Sequence, residues 1–180
     1  MVHCASPDMP LLISSLVIAA VGLMMLVELQ LSRSNERRLR AAGAIEPPDD
    51  VYRVMQLAYP LSFILMGIEG ALRPAVSVRA VLLGLIVFGA AKAIKFWAIA
   101  SLGRRWSFRV LIVPGAPLVT TGPYRWMRHP NYVGVMGELA GVAIAVSAVV
   151  TGVLALAAFA WILAKRIRVE ERALGIRAAR

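Results

Sequence analysis

The chain has 180 residues, 59% of them hydrophobic and 17% charged, and its mean hydropathy of +0.73 is far above that of an ordinary soluble domain. The length allows one domain, residues 1–180, and several apolar runs are too long for a soluble core of this size. The net charge of +10 is confined to short clusters between those runs, so membrane lipids are expected partners and nucleic acid is not. Cys4 is the only cysteine, which excludes an internal disulfide, and no metal-binding spacing of Cys and His occurs.

Three hydrophobic segments lie within the first 102 residues. The first, Pro10–Leu31, is too long for the core of a signal peptide and lacks a basic region before it, so we predict a transmembrane helix. Residues 34–42 are predicted to form a short basic helix at the membrane interface, ended by Gly43. The second and third predicted transmembrane segments are residues 52–71 and 78–102.

A fourth and a fifth segment share one apolar stretch, Tyr132–Ala164. As a single helix these 33 residues would be about 50 Å long, whereas a bilayer core is about 30 Å thick. We therefore predict a helical hairpin of residues 132–147 and 149–165, with its turn near Ser147–Gly152, where Ser, Thr and Gly cluster. The predicted fold is an all-α membrane protein of about five transmembrane helices.

Basic residues predict the orientation of this bundle. Fifteen of the 20 Lys and Arg residues lie in loop 32–51, in loop 103–131 and in the tail from Lys165. With five spans all three regions lie on the same side, which the positive-inside rule assigns to the cytoplasm. The N-terminus is then expected outside, and four spans would separate the third loop from the tail.

Four charged residues lie within or near the ends of the predicted spans. Lys92 and Lys95 share one face of the third segment, and we expect their long side chains to reach the cytoplasmic interface. Glu28 and Glu69 lie near segment ends, where we expect them to be hydrated.

The longest polar and aromatic interruption is Thr120–Gly134. Pro130 favours the first turn of a helix, and His129 before it favours an extended backbone, so we predict that the fourth span begins there. Free N–H groups at such a helix start suit an anion, and aromatic faces attract onium cations. The aromatic and basic side chains of this stretch are Tyr124, Trp126, Tyr132, Arg125 and Arg128.

A second cluster, residues 165–172, follows the last span. If the helix continues, Arg166 and Glu170 share a face. Both clusters lie at the cytoplasmic ends of the predicted hairpin and therefore near each other. Each part has an alternative interpretation. The aromatic residues could form a membrane-interface belt, Arg125 and Arg128 could be positive-inside residues, and the second cluster could be a hydrated helix end. From residues alone we infer a polar pocket at the membrane surface and no particular reaction.

At these positions the sequence resembles the isoprenylcysteine carboxyl methyltransferase family. The motif is Gly122-Pro-Tyr124-x-x-x-Arg128-His129-Pro130-x-Tyr132-x-Gly134, followed by Arg166-x-x-x-Glu170-Glu171. The first half is similar to the bacterial branch, and Ser32–Arg40 resembles members that O-methylate alkylpyrones. The resemblance implies a methyltransferase that uses S-adenosyl-L-methionine in a pocket at the cytosolic end of the bundle. A bacterial inner membrane is the expected location, and no metal is expected.

The resemblance also assigns site residues. Arg166 would meet the acceptor, Glu170 would face the ammonium group of the cofactor or a neighbouring donor, and His129 or Glu171 would serve as base for a hydroxyl acceptor. The cofactor would be held by Leu118 and Val119 through their backbones, and by Tyr124, His129, Pro130, Asn131, Tyr132 and Glu170.

The acceptor stays open between two main alternatives, both lipid-like. One is carboxyl methylation of an isoprenylcysteine-type carboxylate, and the other is O-methylation of a lipidic phenol or pyrone. N-methylation of a phospholipid amine and a non-enzymatic scaffold that binds lipid headgroups are further alternatives. Many family members continue beyond the Glu-Glu pair with an aromatic-rich tail, whereas this sequence ends at Arg180. This departure predicts a reduced cover over the cofactor and weakens the expectation of a protein prenylcysteine acceptor.

Overall fold

The computed structural model describes residues 8–175 and is all-helical over that range, without a named strand. Cys4, Arg177 and Arg180 lie outside the described residues. Five α-helices form the bundle. Short loops join them except between the third and fourth helices, where a long segment contains two 3-10 turns. The helices are α1 Met9–Ala41, α2 Tyr52–Ala71, α3 Val78–Leu102, α4 Pro130–Ala145 and α5 Val149–Ala173, and the 3-10 turns are Gly103–Arg105 and Gly122–Arg125.

Four helices (α1, α2, α3 and α5) are long and apolar enough to cross a membrane. Helix α4 has 16 residues, about 24 Å, and is shorter than the others. It packs between α3 and α5, and half of its residues are buried. The break between α4 and α5 lies at residues 146–148, at the N-terminal edge of the predicted turn, and Ser147 has a positive φ of 56°.

Helix α1 does not stop at the predicted membrane boundary. The basic stretch 34–42, predicted as a separate interfacial helix, continues α1 to Ala41, because the sequence holds no helix breaker before Gly43. Asn35 is buried and donates to the carbonyl oxygen of Trp106 at 2.9 Å, and Ser32 Oγ accepts from the Phe108 N–H at 2.8 Å. These long-range hydrogen bonds hold the extension of α1 against the α3–α4 loop.

Glycines allow α3 and α4 to approach at backbone contact. A Cβ atom on Gly84 of α3 would lie 2.3 Å from the Ala145 backbone nitrogen, and one on Gly141 would lie 2.6 Å from that of Phe88. A side chain has no room at these two positions, because the obstructing atoms belong to the backbone of the other helix. The contact fixes how α4, and therefore its N-terminal end, is placed on α3.

A four-charge cluster of Glu28, Lys92, Lys95 and Glu138 lies in the core. Each lysine Nζ is within 3.2 Å of both carboxylates, and all four residues are at most 6% exposed. The Tyr59 hydroxyl of α2 donates to Glu138 at 2.6 Å, so four helices meet at the cluster. The expectations that the lysines reach the interface and that Glu28 is hydrated are therefore wrong. Two ammonium groups and two carboxylates neutralise one another inside the bundle, which removes the need to reach water.

The three basic regions of the chain meet at one end of the bundle. Ile45 of the α1–α2 loop pairs its backbone with Ile112 of the α3–α4 loop. Glu46 of the α1–α2 loop accepts from Arg40 at the end of α1 and from Arg109 of the α3–α4 loop, at 2.5 and 2.6 Å. The third region joins them where Arg172 of α5 pairs with Asp49 of the α1–α2 loop. Burial by itself raises the pKa of Glu46, but the hydrogen bonds from the two guanidinium groups outweigh it and lower the pKa.

Glu69 belongs to the opposite end. Its carboxylate accepts from the N–H groups of Val150 and Thr151, at 3.1 and 2.7 Å, and from Arg73 at 2.5 Å. It therefore caps the start of α5, where free N–H groups attract negative charge. We expected Glu69 to be hydrated, whereas its carboxylate is bound mainly by protein groups.

Candidate functional site

Helix α5 continues beyond the predicted end of the last span, residue 165, to Ala173. The helix ends before Gly175, whose φ of 70° suits a glycine. The extension turns Arg166 and Glu170 towards the start of α4. That start lies at Pro130, with His129 as the N-cap at φ −128° and ψ 58°, so the predicted beginning of α4 is confirmed.

His129 lies between two carboxylates of α5. Its Nδ1 is 3.6 Å from Glu170 Oε2, and its Nε2 is 3.5 Å from Glu171 Oε1. Nε2 is buried and has no hydrogen-bond partner among the described residues. The imidazole stacks on the Tyr132 ring, with 5.4 Å between centroids and 14° between planes. The two motifs, 38 residues apart at Tyr132 and Glu170, thus form one cluster.

Tyr132 connects this cluster to Arg166. Its hydroxyl donates to Glu170 Oε2 at 2.7 Å and accepts from Arg166 Nε at 2.9 Å. Because the guanidinium can only donate, the phenolic hydrogen is directed towards Glu170. The other two nitrogens of Arg166 donate to Asp50 Oδ1, at 2.9 Å, and to the carbonyl oxygen of Phe108. Arg166 is only 4% exposed, so it is a buried cation with a hydrogen bond at each of its three nitrogens.

Tyr124 and Arg128 complete the polar surroundings. Burial and the nearby charge of Glu170 raise the pKa of Tyr124, so its hydroxyl stays protonated at neutral pH and is available as a donor. Arg128 lies on the exposed side, with its Nη1 3.7 Å from Glu171 Oε1. Gly122 lets the loop approach α3, because a Cβ there would lie 2.0 Å from Ser101 Oγ.

The remaining predicted site residues lie around the cluster or ahead of it. Pro130 is buried at the start of α4, and Asn131 Oδ1 accepts from Trp106 Nε1 at 3.4 Å. Leu118 is 54% exposed and Val119 is half-buried, both in the segment before the second 3-10 turn. Trp126 packs on Trp97 of α3 and is two-thirds exposed. The structure thus brings together His129, Tyr132, Arg166, Glu170 and Glu171, with Tyr124 close to Glu170.

Two contributors were missed from the sequence. Asp50 belongs to the α1–α2 loop, and Trp106, 2% exposed, belongs to the α3–α4 loop; neither lies in the two motifs. The available signal for Asp50 was an acidic pair, Asp49-Asp50, in an otherwise basic loop. From this pair one could have predicted that the acidic loop residues bind the arginines after the last span.

Apolar helices that end in a buried polar cluster define an integral membrane protein with its candidate site at one end of the bundle. Residues 82–176, 95 of the 180, match the model of the Isoprenylcysteine carboxyl methyltransferase (ICMT) family. The chain is also 33% identical over 165 residues to the uncharacterized protein YpbQ of Bacillus subtilis, covering 88% of this chain and 95% of that protein. An uncharacterized protein of Haemophilus influenzae is 28% identical over 148 residues, covering 81% and 86%. No solved structure matches the chain.

The chain belongs to the isoprenylcysteine carboxyl methyltransferase family, and the predicted resemblance is confirmed. Membership identifies a membrane methyltransferase, and methyltransferases of this family generally use S-adenosylmethionine. Both relatives are bacterial.

Proposed function

We propose that this protein transfers a methyl group from S-adenosyl-L-methionine to a lipid-like acceptor at the cytoplasmic surface of a bacterial inner membrane. The observation that carries the proposal is the position of His129 between Glu170 and Glu171, beside Tyr132 and Arg166, at the end of the bundle where the basic loops meet. With five spans, and with α4 and α5 as a hairpin, the positive-inside rule predicts that this end faces the cytoplasm.

The side chains of the cluster suit each charged part of the cofactor. Glu170 and Glu171 suit its ammonium group, while His129 and Arg128 suit its carboxylate. Nε2 of His129 is buried and makes no hydrogen bond among the described residues, and this observation most favours a ligand at this place, because buried polar atoms are normally hydrogen-bonded. Tyr132 and the other predicted binding residues would hold the sulfonium and the adenosyl group; these are Leu118, Val119, Tyr124, Pro130 and Asn131.

When bound, the cofactor supplies an electrophilic methyl group attached to a sulfonium. Transfer is an in-line displacement, so the protein contributes mainly by placing the reactants and excluding water. A carboxylate acceptor brings its own electron pair and needs no base. A hydroxyl acceptor must lose its proton as the new oxygen–carbon bond forms. We propose that this proton is taken either by His129 Nε2 or by the Glu171 carboxylate, which lies 3.5 Å from it.

We propose Arg166, Glu170 and Glu171 as the residues that support the reaction. Nη1 and Nη2 of Arg166 each give one N–H to Asp50 or to the Phe108 carbonyl, so each has a second N–H that could donate to the acceptor. In the described arrangement Arg166 orients Tyr132 and, through it, Glu170. An isoprenylcysteine-type carboxylate and a lipidic phenol or pyrone remain the two proposed acceptor classes.

Isothermal titration of the detergent-purified chain with S-adenosyl-L-methionine tests the proposal. We expect saturable heat, and a scaffold that only binds lipid headgroups would show none. Incubation with cofactor labelled in the methyl group and a membrane lipid extract then separates the acceptors. A methyl ester releases labelled methanol in alkali, whereas a phenolic ether or a methylated phospholipid amine keeps the label. A labelled amine would favour the phospholipid N-methyltransferase alternative.

A further inference from the structure

Arg166 is a buried cation with one neutralising partner outside the motifs, Asp50. Its three nitrogens are all engaged, and Asp50 is the only carboxylate among their partners in the described residues. Asp50 is itself 4% exposed at its side chain, and its second oxygen accepts from the Val110 N–H at 3.0 Å. Both carboxylate oxygens are therefore fixed, so the loop residue holds the guanidinium in one orientation.

The position of Glu170 makes this orientation important. Glu170 lies four residues after Arg166 on α5, the spacing at which an arginine and a glutamate on one helix can pair directly. They do not pair here, because Arg166 donates to Asp50 and Tyr132, and Glu170 receives the Tyr132 hydroxyl instead. Without Asp50, the buried guanidinium would lack a neutralising charge, and Glu170 is the nearest carboxylate on the same helix.

We infer that Asp50 is a positioning residue of the methyltransferase site, which holds Arg166 away from Glu170 and so keeps the Glu170 carboxylate available to the cofactor. This inference rests on the proposed function. Asp50 lies outside the family match at residues 82–176, and it reaches the site across 116 residues of sequence.

Asp49 offers a matched control. It is the preceding residue of the same loop and also pairs with an arginine of α5, Arg172, at 2.5 Å. Both partners are about half exposed, with side-chain exposures of 48% for Asp49 and 59% for Arg172. The two aspartates thus tie the same loop to the same helix, but only the pair of Asp50 is buried and connected to Tyr132.

The experiment measures cofactor affinity by isothermal titration of the full chain in detergent, first for the wild type and then for each variant. The melting temperature of each variant is measured alongside. We expect D50N to weaken S-adenosyl-L-methionine binding about tenfold or more, as for a lost charged hydrogen bond, and D49N to change it less than about twofold. A double variant, D50N with R166Q, removes the competing guanidinium. We expect it to bind the cofactor more tightly than D50N alone, which a purely structural role of Asp50 does not predict.

The outcomes separate a failure of the proposed function from a failure of the role inferred for Asp50. Wild-type protein without saturable heat overturns the proposed function and this inference with it. Saturable wild-type binding with equal effects of D49N and D50N overturns the inference alone. The same holds for a lower melting temperature of D50N at unchanged affinity, and for a double variant no better than the single one. If D50N does not fold, the comparison of the double variant with R166Q decides: once the guanidinium is gone, removing Asp50 should change affinity less than about twofold.

Discussion

Lys95 of α3 and Glu28 of α1, 67 residues apart in sequence, form a buried ion pair with 2.7 Å between Nζ and Oε2. Glu138 of α4 and Lys92 complete the cluster, which is electrically balanced as a group. A balanced cluster inside a bundle is strongly sensitive to the loss of one member, because the remaining charges then stay buried without compensation.

We therefore expect Glu28→Gln to lower the free energy of unfolding by about 3–5 kcal/mol, as for the loss of one partner of a buried ion pair. The double variant Glu28→Gln with Lys92→Gln, which restores neutrality, should recover a large part of that loss. Denaturant titration of the protein in detergent micelles measures both. Equal stability of Glu28→Gln and wild type would contradict a buried, ion-paired cluster.

The contact between α3 and α4 predicts a contrast between two glycines of the same helix. Gly84→Ala places a methyl group 2.3 Å from the Ala145 backbone nitrogen, so the helices must separate. We expect a loss of about 1–3 kcal/mol, the usual cost of overpacking. Gly89→Ala is the control, because nothing lies within 4 Å of its new methyl group, and its effect should stay within about 0.5 kcal/mol. The melting temperatures of the two variants compare them directly, and similar values would exclude close packing at Gly84.

Orientation can be measured with reporters. The meeting of the basic loops at one end of the bundle predicts that a reporter fused after Arg180 lies in the cytoplasm and one inserted at Asp8 lies outside. A phosphatase reporter, active only outside, and a fluorescent protein, fluorescent only inside, give opposite signals at the two positions. Matching signals at both positions would require an even number of spans and would remove α4 as a span.

His129→Ala tests the central residue of the site. Its imidazole is partly buried between Glu170 and Glu171, so we expect cofactor affinity to fall by about 1–3 kcal/mol, the cost of a lost hydrogen bond to a charged group. Isothermal titration measures the change. Trp126→Ala is a suitable control, since Trp126 is exposed and packs on Trp97 instead. Unchanged binding in a folded His129→Ala protein would leave the residue with a structural role only.

Substitutions of Glu170 and Arg166 are expected to affect different steps, cofactor binding for Glu170 and turnover for Arg166. Glu170→Gln should weaken cofactor binding directly, because the carboxylate is the partner proposed for the ammonium group. Arg166→Ala should lower kcat/KM by at least about tenfold, or about 1.4 kcal/mol of transition-state stabilisation, through Tyr132 or the acceptor. Arg166→Lys should recover little, because an ammonium cannot reproduce the three directed contacts of the guanidinium. Methyl transfer at the wild-type rate in both Arg166→Ala and Glu170→Gln would make the cluster a structural anchor.

Much of the helical architecture could be predicted from short stretches of the sequence. The boundaries of α2 and α3 agree with the predicted segments, because Arg73-Pro74 and Gly103 interrupt the apolar runs just after these helices. The start of α4 follows from the fixed φ of Pro130, and the motif around His129 indicated the family. These features depend on residues that are neighbours in the chain, so sequence alone determines them.

Only the tertiary structure decided which charges meet. Lys92 and Lys95 have side chains long enough either to reach water or to pair inside, and the choice depends on where α1 and α4 place Glu28 and Glu138. Likewise, Arg166 could pair with Glu170 one turn away, but a loop 116 residues distant delivers Asp50 to it instead. The energy of a buried charge depends on partners brought together by packing, and that packing is a property of the whole bundle, not of any local segment.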